Sequence, residues 1–130
     1  MTGVLGLNDL TVLVVDDDPD LRTSLCDALE DAGYTTAQAH NGRDAIDWLG
    51  RHKLPALILL DLNMPVMTGW EFLDHKQVDP AISQVPVVVI TAIGNAKKAA
   101  VSASAVLHKP VTLDELLDVV GRYAASAQAS

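Results

Sequence analysis

The chain predicts an α/β fold, a doubly wound sheet of five parallel strands with helices on both faces. Three observations carry this. Five short strand-like segments are each followed by a helical pattern or a short helix-forming stretch. The clearest strands are continuous runs of β-branched and aliphatic residues, as expected where both faces are covered. The links are short, so successive strands join through right-handed crossovers.

The first strand is Leu10 to Val15, LTVLVV. Asp18 then suits an N-cap and Pro19 the first helical turn, ahead of apolar residues at Leu21, Leu25, Ala28, Leu29 and Ala32, with Gly33 as the stop. Tyr34 to Ala39 has strand character, Asn41-Gly42 is a turn, and Ala45, Ile46 and Leu49 mark a second helix stopping near Gly50. Ala56 to Leu60 is the third strand. After the loop NMPVMTG, Thr68 and Glu71 stand at capping-box spacing before Phe72 and Leu73. Val85 to Ile90 is the fourth strand, with Pro86 acceptable only at its start. Asn95 to Ala103 predicts a short helix with a weak apolar stripe, and Ala105 to Leu107 a short fifth strand. Thr112 and Glu115 repeat the capping pattern for a last helix carrying Leu113, Leu116, Leu117 and Val120, and the closing AASAQAS is expected to fray.

A length of 130 residues with 49% apolar content suits one domain, taken as 1–130 with an ordered core of about 9–125. No apolar run approaches the ~18 residues of a membrane span, and MTGVLGLNDL lacks the basic start and apolar centre of a signal peptide, so a cytoplasmic protein without membrane insertion is expected. A net charge of −8 argues against direct nucleic-acid binding, which needs a concentrated basic surface. The single cysteine, Cys26, has no partner for an internal disulfide and reads as core filler. His40, His52, His75 and His108 lack ligand spacing, and Trp48 and Trp70 read as packing groups.

In a doubly wound sheet the ligand crevice lies beyond the carboxyl ends of the strands. Asp16 and Asp17, Asp61, Thr91 and Lys109 follow strands one, three, four and five. Carboxylates gathered at one point repel one another unless a cation neutralises them. With oxygen the sole donor type, Mg²⁺ suits the cluster, with Mn²⁺ as a substitute. Lys109 and Thr91 add the cation and hydroxyl that a phosphoryl group requires, so the set describes phosphoryl transfer. Asp61 stands alone at the end of the central strand and is the best-placed nucleophile, whereas the adjacent Asp16 and Asp17 suit metal coordination. That assignment rests on position, and spacing alone leaves it open.

Four segments, VVDDD (14–18), LLDLNMPVMTG (59–69), PVVVITA (86–92) and LHKP (107–110), resemble in order and separation the receiver domains of two-component response regulators, including the chemotaxis regulators. The resemblance covers roughly residues 9 to 125. It implies the flavodoxin-like receiver fold with strand order 2-1-3-4-5, Asp61 as phosphoacceptor, and Mg²⁺ on Asp16, Asp17, Asp61 and the Asn63 main-chain carbonyl. It further implies that Thr91 contacts the phosphoryl group, Lys109 pairs with it, and the Lys109-Pro110 bond is cis. The implied donor is a phosphohistidine on a sensor histidine kinase or histidine phosphotransfer protein, and the domain catalyses much of the transfer and later hydrolyses its own acyl phosphate.

Two departures bear on output. Val106 stands where the family carries an aromatic switch residue, and the stretch from Thr91 to Lys109 is about one helical turn short, with Ser102 replacing a common glycine. Phosphorylation is therefore expected to alter the fourth-helix face only slightly, as in a relay intermediate or adaptor. Rival readings are a receiver-fold binding module that works without phosphorylation, and a Mg²⁺-dependent phosphotransferase of the haloacid-dehalogenase kind, suggested by Asp16 and Asp18 but opposed by Pro19 and the short chain. Flavin binding is weaker still, because the loop after the first strand is acidic and lacks glycine.

Overall fold

A computed structural model describes residues 10–92, 94 and 96–129. Ten elements alternate: β1 (Thr11–Val15), α1 (Pro19–Asp31), β2 (Thr35–Ala39), α2 (Gly42–Arg51), β3 (Leu57–Asp61), α3 (Gly69–Val78), β4 (Val87–Thr91), α4 (Ala96–Ala99), β5 (Ala105–His108) and α5 (Leu113–Ala129). The strands form one parallel sheet in the order β2-β1-β3-β4-β5, with Val14 opposite Leu59 and Leu60 opposite Val89 in the central register.

Side chains that alternate along each strand divide between two cores. Val12, Val14, Leu57, Leu59, Val88 and Ile90 pack with Leu25, Leu29, Leu116 and Val120, beneath α1 and α5. Leu13, Val15, Ile58, Leu60, Val87 and Val89 pack with Ala45, Leu49, Phe72 and Leu73, beneath α2 and α3. This explains why the three central strands read as unbroken apolar runs.

Caps set the helix starts. The Asp18 carboxylate accepts from the N–H groups of Asp20 and Leu21, the Asn41 side chain accepts from Asp44 N–H at 2.8 Å, and Thr68 and Glu71 close a reciprocal capping box. Thr112 and Glu115 do the same before α5. Backbone hydrogen bonding to that carboxyl, aided by the Thr112 hydroxyl, holds the Glu115 pKa below its ordinary value.

The fourth strand begins at Val87, which leaves Val85 and Pro86 ahead of it, and three further expectations need correction. The fourth helix is a single turn that ends at Ala99, where Val101, Ser102 and Ala103 donate to carbonyls of Lys98 and Ala99; Ala99 is its one fully buried side chain among the described residues, so little packing holds a longer helix. Asn95 lies outside the described residues. The fifth strand continues through His108 because the ladder does, with Lys109 N–H donating to Thr91 O at 2.9 Å. Finally, α5 remains helical to Ala129, past the fraying expected from AASAQAS, whose alanines and glutamine are themselves helix formers.

Cys26 is buried, as expected of filler, and burial pushes its thiol pKa up. Trp48 stacks on His52 at 4.3 Å between ring centroids, and the Lys98 ammonium lies 4.6 Å from the centroid of the Trp70 ring, linking α4 to α3. His40 and His75 sit beside Asp44 and Asp79 at the surface. No helix among the described residues is long and apolar enough to cross a membrane.

Candidate functional site

The parallel sheet delivers its strand ends to one rim. Asp16 and Asp17 follow β1, Asp61 ends β3, Thr91 ends β4, and Lys109 follows β5. A carboxylate oxygen from each of Asp16, Asp17 and Asp61 lies within 4.8 Å of the others. Asp16 is 2% exposed, Asp61 5% and Thr91 1%, while Asp17 faces solvent. The Lys109 ammonium donates to Asp61 Oδ1 at 3.2 Å. The Lys109-Pro110 peptide is cis.

Burial raises the Asp16 pKa, and the negative charge of Asp61 adds to that rise; a hydrogen bond from Asp18 N–H to Asp16 Oδ1, 2.9 Å, opposes it, as does the charge of Lys109. The site thus holds more negative charge than its own groups neutralise. All its candidate metal donors are oxygens, the set a hard divalent cation prefers.

Asn63, in the loop two residues beyond Asp61, is exposed. In the same loop Val66 takes φ 68° with its side chain 81% exposed, a left-handed conformation costly for a β-branched residue. Asp18 is occupied as the cap of α1, which removes it from an Asp-x-Asp catalytic pair.

Two contributors escaped the sequence reading. Arg22, one turn into α1, donates to the Asp16 carbonyl at 2.6 Å and to Gln38 Oε1 at 2.9 Å, clamping the loop after β1. Its place on a helix face gave no hint of this. Gly69 brings α3 against the end of β3: a Cβ there would lie 2.4 Å from the Asp61 carbonyl oxygen and 2.7 Å from Leu62 Cα. The glycine was visible in LLDLNMPVMTG, but not the backbone it touches.

Residues 12–121 match the family described as the response regulator receiver domain. Response regulator Rre1 of Synechocystis sp. is 36% identical over 126 residues, which are 93% of this chain and 54% of that protein, so the chain spans about half its length. Sporulation initiation phosphotransferase F of Bacillus subtilis is 34% identical over 86% of this chain and 91% of its own. The structure of chemotaxis response regulator CheY4 of Vibrio cholerae superimposes with TM-score 0.79 at 32% identity, covering 88% of this chain and 98% of that one. The chain belongs to the response-regulator receiver family, the signalling domains of two-component systems.

Proposed function

We propose that this receiver accepts a phosphoryl group from a phosphohistidine onto Asp61 and passes the signal on through protein contacts. The observation that carries the reading is the company Asp61 keeps: a buried carboxylate at the end of the central strand, bonded to the Lys109 ammonium and clustered with Asp16 and Asp17.

The oxygen donor set and its excess negative charge fit Mg²⁺, or Mn²⁺ in its place, held by Asp16, Asp17, Asp61 and the Asn63 main-chain carbonyl. Such an ion supplies neutralising charge for the phosphoryl oxygens. A carboxylate oxygen of Asp61 attacks phosphorus, the new P–O bond forms, and the P–N bond to the donor imidazole breaks. The Lys109 ammonium moves from the carboxylate toward the arriving phosphoryl oxygens, and the Thr91 hydroxyl donates to one of them. Hydrolysis later returns the carboxylate. The partners on the donor side are a sensor histidine kinase or a histidine phosphotransfer protein, and the setting is cytoplasmic, without direct contact to nucleic acid.

Intact mass after incubation with acetyl phosphate tests this, with and without Mg²⁺, for the native protein and Asp61→Asn. One Mg²⁺-dependent adduct that is lost in the variant is expected. Absence of an adduct from acetyl phosphate and from a kinase, despite Mg²⁺ binding, would favour a binding module that does not use phosphorylation.

A further inference from the structure

At the opposite end of the sheet from Asp61, two adjoining cavities of about 700 Å³ and about 190 Å³ share Lys76, Ser83, Val101 and Ser102 in their walls. The larger extends to Ser104 and Tyr123 and has an apolar side that includes Leu54 and Pro55. Lys76, on α3, is only 9% exposed, and its ammonium donates to the Ser83 carbonyl at 2.9 Å. One carbonyl uses one of three ammonium protons and leaves the charge uncompensated. Among the described residues no carboxylate pairs with Lys76, and neither cavity wall contains one, although the chain has seventeen acidic residues. Burial lowers the Lys76 pKa, as expected for a cation without a counter-charge.

A lysine kept only as a latch on the Ser83 carbonyl would serve equally as a neutral donor. A buried charge at the junction of two cavities, ringed by hydroxyls and free of carboxylates, is instead complementary to an anion. Because there is one cation and much of the wall is apolar, a singly charged head on an apolar body fits better than a phosphate dianion. We propose that the foot of the sheet binds a small organic monocarboxylate, with its carboxylate on the Lys76 ammonium and its apolar body toward Leu54 and Val101. Its walls are built from the α2–β3, α3–β4 and α4–β5 connections with Lys76 of α3 and Tyr123 of α5, so the site is separate from the phosphoryl rim.

The test is a titration of the isotope-labelled protein with butyrate and benzoate, and separately with inorganic phosphate, following the backbone amides of Ser83, Ser102 and Ser104. Saturable shifts with the carboxylates are expected, weakened at least about tenfold in both Lys76→Met and Lys76→Gln. Lys76→Gln keeps a donor for the Ser83 carbonyl and carries the test if the Met variant fails to fold. Shifts that stay linear in ligand, or equal affinity in Lys76→Gln, would overturn the proposal. Phosphate binding these amides as tightly as the carboxylates would overturn the monocarboxylate assignment.

Discussion

Gly69 lies so close to Asp61 that a single added carbon would sit 2.4 Å from the Asp61 carbonyl oxygen, and the Gly69 N–H donates to Leu62 O at 3.0 Å. The start of α3 and the end of β3 are thus pressed together backbone to backbone. Gly69→Ala is expected to destabilise the domain by about 1–3 kcal/mol, the range for overpacking a close contact, and to slow adduct formation by displacing Asp61. Denaturant unfolding and a phosphorylation time course check both parts.

The raised pKa of Asp16 gives a pH dependence with a definite sign. Between the ordinary aspartate pKa and the raised folded value, the folded protein holds the extra proton, so stability falls as pH rises through that window. At neutral pH the metal-free protein therefore carries the cost of a buried charge. Asp16→Asn, which keeps an oxygen for the Asp18 N–H, is expected to raise the melting temperature of the metal-free protein at pH 7 and to abolish its rise with Mg²⁺. Melting curves with Mg²⁺ and with a chelator, at pH 4 and pH 7, measure this; for the native protein the Mg²⁺ effect should be greater at pH 7.

Asp18 separates capping from catalysis. Its carboxylate serves the N–H groups of Asp20 and Leu21, so Asp18→Ala should cost about 1 kcal/mol of stability while leaving the phosphoryl adduct and its Mg²⁺ dependence intact. Loss of the adduct in a folded Asp18→Ala protein would return the Asp-x-Asp reading to contention.

Val66 is held at φ 68° with almost nothing packed on its side chain. Asparagine tolerates the left-handed region better, so Val66→Asn should stabilise the protein by about 1 kcal/mol, read from the denaturation midpoint.

The half-buried Val106 packs against the α2–α3 core and has no ring to swing inward. Amide exchange with Mg²⁺ and a phosphoryl mimic should therefore show little change across residues 94–108. Large protection there would sink the idea of a muted fourth-helix face.

Much of this architecture was legible in the chain, because burial on both faces forces continuous apolar strands and because Asp18, Thr68 and Thr112 announce their helices locally. The rim residues were legible because topology alone carries strand ends to one edge. What escaped depended on contacts between distant segments. Arg22 reaches back to a carbonyl, and Lys76 turns a charged side chain into a sheltered cavity. Neither leaves a periodic trace. The fourth helix was overextended since alanine and lysine favour helix, while the missing apolar stripe, which decides its length, could be weighed only against the sheet it fails to cover.

The two tryptophans give the molecule two separate optical channels. Trp70 follows the glycine pressed against Asp61, and its ring lies near the Lys98 ammonium, so its emission should respond when α3 and α4 shift against each other. Trp48, within α2 and stacked on His52, is the second channel and should respond instead to changes at the end of that helix. With Trp48→Phe the first channel can be read alone, so signalling by this domain can be followed in real time without an attached dye.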